Sequence, residues 1–118
     1  YFNYVDDEKL KLLYTNAFAF IFPSYYEGFG IPPLEAMQSG IPVLSSDKSA
    51  LFEVVGKGGI IHDPDNHTAF ANDILKLEND SDFYNNLIER GLEQAKKFDI
   101  KEMTSRLVNI INEIHLDK

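Results

Sequence analysis

Phe18-Ala19-Phe20-Ile21-Phe22-Pro23-Ser24-Tyr25-Tyr26-Glu27-Gly28-Phe29-Gly30-Ile31-Pro32-Pro33-Leu34-Glu35-Ala36-Met37 is the stretch that decides the fold. The unbroken apolar run Phe18 to Phe22 predicts a strand buried on both faces, as in a parallel sheet. Pro23 and Ser24 stop it. Ile31 to Ser39 reads as a helix, with proline tolerated in its first turn and Gly40 at its C-terminal end.

Outward from this unit the chain alternates strands and helices. Upstream, Tyr1 to Val5 is short and β-prone. Asp6 or Asp7 then caps a helix whose apolar positions are Leu10, Leu13, Tyr14 and Ala17. Downstream, Pro42 to Ser45 is a second buried strand, Leu51 to Val55 a short helix before Gly56, and Gly59 to His62 a third strand closed by Asp63-Pro64-Asp65. Three helices follow. The first, from Asn66 or His67 to about Glu78, carries Phe70, Ile74 and Leu77 on one face. The second, capped by Ser81, bears Phe83, Leu87 and Ile88. The third begins at Asp99, has Glu102 in an approximate capping box, and carries the stripe Met103, Leu107, Ile110, Ile111 and Ile114. The pattern predicts an α/β fold over residues 1–118, a partial Rossmann-like parallel sheet flanked by helices.

Ligands of such sheets bind beyond the carboxyl ends of the strands, where the Glu27 to Gly30 loop falls. Gly28 and Gly30 permit tight turns and close backbone approach. The helix opening near Pro32 offers N–H groups and a dipole suited to phosphate. Glu35, read as lying in the first turn, can accept hydrogen bonds from vicinal hydroxyls such as a ribose diol. Glu27 stands eight residues before it. Diphosphate in the middle with hydroxyl-rich groups at both ends describes a nucleotide sugar. Incidental acids on a surface loop and a helix are the plainer reading of that spacing taken alone.

Phe22 to Met37, followed by Gly40-Ile41-Pro42-Val43, resembles the donor-site signature of retaining glycosyltransferases of family 4, which have the GT-B fold. Ser49 to Gly56 is similar to the family segment after the next strand, with Phe52 where the family usually has proline. Gly58 to Pro64 resembles its last strand and turn, and Arg90-Gly91-Leu92 with Phe98 its closing helices. The resemblance implies that Glu27, the catalytic residue of the signature, contacts hydroxyls of the donor sugar and helps position it near the reacting carbon. It implies that Gly28, Phe29, Gly30 and Ile31 hold sugar and diphosphate, and that Glu35 binds the ribose. Transfer from a nucleoside-diphosphate sugar would proceed with retention and without a metal or other cofactor. By family frequency the donor is a UDP-sugar, and the acceptor a glycan or lipid-linked glycan of a bacterial polysaccharide such as O-antigen.

The resemblance covers the C-terminal half of a GT-B donor domain. The acceptor-binding N-terminal domain, the first donor-domain strands and the family's diphosphate-binding Arg and Lys fall outside it. The 118 residues alone are therefore expected to be inactive, and to self-associate through the edge of the Phe18 to Phe22 strand. The alternatives are a non-catalytic nucleotide-sugar-binding module and an interaction fragment.

Composition narrows the partners. Hydrophobic residues make up 44%, charged residues 25%, and the formal net charge is -8. Such an acidic chain carries no phosphate-backbone footprint, so nucleic acid is not an expected partner. Cysteine is absent, which fits a reducing compartment. No membrane span or signal peptide is visible. The expected location is cytoplasmic, peripheral at the inner face of the membrane in the intact enzyme. Asp6-Asp7-Glu8 reads as capping rather than metal binding. His62, His67 and His115 lack ligand spacing, and Gly56-Lys57-Gly58-Gly59 reads as a turn rather than a phosphate loop. Gly91 inside a helix reads as a site of close packing, and Tyr25 and Tyr26 as candidates for stacking on a sugar or base.

Overall fold

The computed structural model describes residues 6–25, 30–48, 50–98 and 108–114. Element order is α1 (Asp7–Asn16), β1 (Phe20–Phe22), α2 (Ile31–Gln38), β2 (Val43–Ser46), α3 (Leu51–Val55), a 3-10 turn (Gly56–Gly58), β3 (Ile60–His62), α4 (His67–Asn79) and α5 (Ser81–Ala95). The three strands form a parallel sheet in the order β1-β2-β3. Phe20 pairs with Val43, and Leu44 with Ile60.

The pleat of β2 sorts the core. Successive side chains point to opposite faces, so Val43 and Leu44 enter different clusters. Val43 packs with Tyr14, Leu34, Met37, Val54 and Val55. Leu44 packs with Phe70, Leu77 and Leu87. Helices thus cover both faces, and all four residues of β2 are buried. The α5 helix serves both clusters, Leu87 in one and Ala95 in the other.

The N-terminal ends of the helices follow simple chemistry. Asp6 caps α1, its side chain accepting from Lys9 N at 2.8 Å. Asn66 caps α4, accepting from Ala69 N at 3.2 Å. The cap of α5 is Asp80 rather than Ser81: its carboxylate accepts from Phe83 N at 3.0 Å, and Ser81 becomes the first helical residue. Gly91 is buried in α5 as expected, and a Cβ there would lie 3.2 Å from the carbonyl oxygen of Gly58.

One expectation changes. The strand predicted over Phe18 to Phe22 is limited to Phe20–Phe22 and is not buried on both faces: Ile21 is 44% exposed, and among the described residues β1 lies at the edge of the sheet. Phe18 leaves the sheet because its ring stacks on Tyr84 and its carbonyl accepts the Tyr84 hydroxyl at 2.7 Å. The late apolar stripe, which reads as core or as a domain-packing surface, is partly exposed where it is described: residues 108–114 are helical, and Val108, Ile110, Ile111 and Ile114 are all about half exposed. Met103, Leu107 and the expected cap at Asp99 and Glu102 lie outside the described residues, as does the β-prone start Tyr1 to Val5.

Candidate functional site

The carboxyl ends of three parallel strands feed three turns. Ser24 and Tyr25 follow β1, Asp47 and Lys48 follow β2, and Asp63 to Asp65 follow β3. Polar contacts tie these turns together. Ser46 Oγ donates to the Ser24 carbonyl, and the Tyr25 hydroxyl donates to Asp65 Oδ1. Asp47 N donates to the His62 carbonyl at 3.0 Å. Lys48 Nζ lies 3.5 Å from Asp47 Oδ1 and 3.4 Å from Asp63 Oδ2. The N–H of Asp65 and then the Lys48 ammonium hold the Asp63 carboxyl below its usual range. Lys48 is already shared between two carboxylates, so it does not stand as a spare cation for a diphosphate.

Beside these turns stands the start of α2. Gly30 is its N-cap, with φ 67° in the left-handed region that favours glycine. The helix begins at Ile31, and Leu34 N returns to the Gly30 carbonyl at 3.2 Å. Pro32 and Pro33 carry no N–H. The donors this end can show an anion are therefore those of Gly30 and Ile31, fewer than an ordinary helix start provides. The helix starts at Ile31 as the sequence reading has it, which makes Glu35 its fifth residue, just beyond the first turn rather than in it. Glu27, Gly28 and Phe29 lie outside the described residues, as does Tyr26. Of the six expected site residues, three are described: Gly30 and Ile31 form the start of α2, and Glu35 lies one turn further along the same helix.

Glu35 is half-buried in the wall of a cleft of about 310 Å³ between α1 and α2, which Asp7, Lys11, Tyr14 and Gln38 also line. Tyr14 was read from its spacing as a core residue, and it is buried. Its hydroxyl nevertheless points at the site, 3.4 Å from Glu35 Oε2 and 3.5 Å from the Pro32 carbonyl. Burial first, then the Glu35 charge and the hydrogen bond to it, push the phenol up to about 12. No signal in the sequence joins positions 14 and 35; only the packing of α1 on α2 does.

Away from this end, His62 Nε2 meets Asp73 Oδ2 and its ring stands edge-on to Phe70, at 5.2 Å between centroids. This strand-end histidine secures β3 to α4. Among the described residues no three metal-ligating side chains converge, and no helix is long and apolar enough to cross a membrane.

Comparison with known proteins agrees with this architecture. Residues 1–94 match the family described as glycosyl transferases group 1. The chain is 43% identical over 109 residues to the O-antigen chain mannosyltransferase B of Escherichia coli, covering 92% of this chain and 29% of that protein. It is 39% identical over 89 residues to the O-antigen chain mannosyltransferase RfbU of Salmonella typhimurium, covering 73% and 25%. Among solved structures, a sucrose-phosphate synthase from Thermosynechococcus elongatus superposes with a TM-score of 0.76 at 28% identity, covering 97% of this chain and 29% of that one. The chain thus spans under a third of the length of these relatives. The parallel α/β architecture and the match over residues 1–94 place this chain in the glycosyl transferases group 1 family.

Proposed function

We propose that the chain is the donor-binding part of a retaining glycosyltransferase of GT-B architecture, belonging to family 4. The observation that carries this is the α2 start: Gly30 left-handed at the cap, the N–H groups of Gly30 and Ile31 ahead of two prolines, and Glu35 one turn along. In this reading the diphosphate meets Gly28, Phe29, Gly30 and Ile31, Glu35 takes the ribose hydroxyls, and Glu27 orients the sugar at its reacting carbon. The bond broken is that between the anomeric carbon and the diphosphate oxygen, which leaves with the electron pair. An acceptor hydroxyl attacks the same face, and its proton passes to the departing diphosphate oxygen.

The mannosyltransferase relatives support a mannosyl unit as the sugar and O-antigen as the glycan class. They take the sugar further than family frequency does. The base, expected to be uracil, stays open to direct comparison. The resemblance supports metal-independent transfer, so activity should survive a chelator. It also supports a further acceptor-binding domain, a cytoplasmic site of action at the inner face of the membrane, and no turnover by these 118 residues alone.

The test is kinetic, on the intact protein with UDP-, GDP- and ADP-mannose. Glu27→Gln should mainly lower kcat, and Glu35→Ala mainly raise KM for the donor. Near-normal kinetics in both variants would remove the assignment.

A further inference from the structure

We infer that Tyr14 is a positioning residue for Glu35: its hydroxyl binds one carboxylate oxygen and leaves the other to the ribose hydroxyls of the donor. The inference rests on the reading of Glu35 as the ribose ligand. Its own support is geometric. Tyr14 is the buried residue of α1, and its ring packs on Phe20 at 5.7 Å between centroids. A phenylalanine would fill that place equally well, so packing explains the ring and leaves the hydroxyl over. The hydroxyl has one proton and two acceptors in reach, Glu35 Oε2 at 3.4 Å and the Pro32 carbonyl at 3.5 Å. A carbonyl in the first turn of a helix already serves the helix ladder. The carboxylate carries charge and is the stronger acceptor. Tyr14 also lines the α1/α2 cleft together with Glu35, so any ligand group entering beside Glu35 meets a carboxylate whose rotamer is already chosen.

The experiment is a cycle between protein and ligand, on the intact protein. Wild type, Tyr14→Phe and Glu35→Gln are titrated with whichever of UDP, GDP and ADP binds most tightly, and with its 2′-deoxy form. Donor KM and kcat are measured alongside. Tyr14→Phe should weaken nucleotide binding about three- to tenfold, the worth of one hydrogen bond, with kcat unchanged at saturating donor. The wild-type preference for the ribonucleotide should shrink in Tyr14→Phe, and Tyr14→Phe should cost less in a Glu35→Gln double variant, where the acceptor carries no charge. If the loss from Tyr14→Phe and the loss from the deoxy sugar multiply in full, Tyr14 does not act through Glu35 and the inference falls alone. If wild type binds the two nucleotides equally, the ribose reading of Glu35 fails and the inference falls with it. Unfolding curves for both variants, each nearly isosteric with the native residue, separate binding loss from misfolding.

Discussion

Gly58 lies so close to Gln94 that a Cβ built on the glycine would fall 2.5 Å from the Cβ of the glutamine. The Gln94 amide in turn donates to the Val54 carbonyl at 3.1 Å, a buried bond between α5 and α3. The 3-10 turn is thus the seat of α5. Gly58→Ala should force the two apart and cost about 1–3 kcal/mol, the usual range for overpacking. The check is the midpoint of urea unfolding. Gly91→Ala makes the contrast: its Cβ would meet the Gly58 carbonyl at 3.2 Å, a smaller intrusion, partly offset by the better helix propensity of alanine. An unfolding midpoint for Gly58→Ala equal to wild type would show that α5 is not seated this way.

Gly30 couples fold to site. Its φ of 67° is a conformation that costs other residues about 1–2 kcal/mol. A Cβ there would also press on Val54 at 3.3 Å. Gly30→Ala should lower stability by that order and weaken nucleotide binding as well, because the cap's N–H moves with the backbone. Retained affinity in a folded Gly30→Ala protein would take the diphosphate off this helix end.

The cap of α5 separates two adjacent residues. Asp80→Ala removes the acceptor of Phe83 N and should cost about 0.5–2 kcal/mol, whereas Ser81→Ala should cost a few tenths at most. Equal losses would mean that the two residues share the cap.

These particulars mark what the sequence could and could not disclose. Helix starts were readable wherever a short polar residue precedes an apolar face, as at Asp6 and Asn66, because that chemistry is local. At Asp80-Ser81 two competent caps adjoin, and local chemistry does not choose between them; in the fold it is the Asp80 carboxylate that reaches Phe83 N. The run Phe18 to Phe22 looked buried on both faces because apolarity says nothing about which neighbours arrive; Tyr84 draws Phe18 away and leaves Ile21 at the edge. The signature drew attention to Gly30 and Glu35, the cap and the fifth residue of α2. It did not draw attention to Tyr14, since its ring satisfies the helical pattern and only its hydroxyl, 21 positions from Glu35, meets that carboxylate.

Alkaline pH offers a probe of Tyr14. Its phenol ionises near 10.0 when solvated and is pushed up to about 12 in the fold, first by burial and then by Glu35. The folded state therefore holds this proton more tightly than the unfolded chain. That contribution to stability is full below pH 10 and is lost as pH rises towards 12. Tyr14→Phe should lack this part of the alkaline destabilisation, while Tyr84, also raised by burial, contributes equally to both proteins. Parallel stability curves for wild type and Tyr14→Phe above pH 10 would contradict the shift.

The edge of the sheet yields the last expectation. β1 hydrogen-bonds to β2 on one side, and among the described residues no strand pairs with its other side. Ile21 and Phe18 are 44% and 45% exposed beside that edge, and Leu12 on α1 is 62% exposed. An apolar edge strand invites pairing, and a lysine on it discourages pairing by burying no charge without cost. Sedimentation of the 118-residue chain should therefore show association that rises with concentration and is weakened by Ile21→Lys. The half-exposed face of helix 108–114 is the competing surface, and Ile111→Lys tests it. Association that persists in Ile21→Lys but disappears in Ile111→Lys would assign the contact to that helix, and a monomer at every concentration would dismiss both.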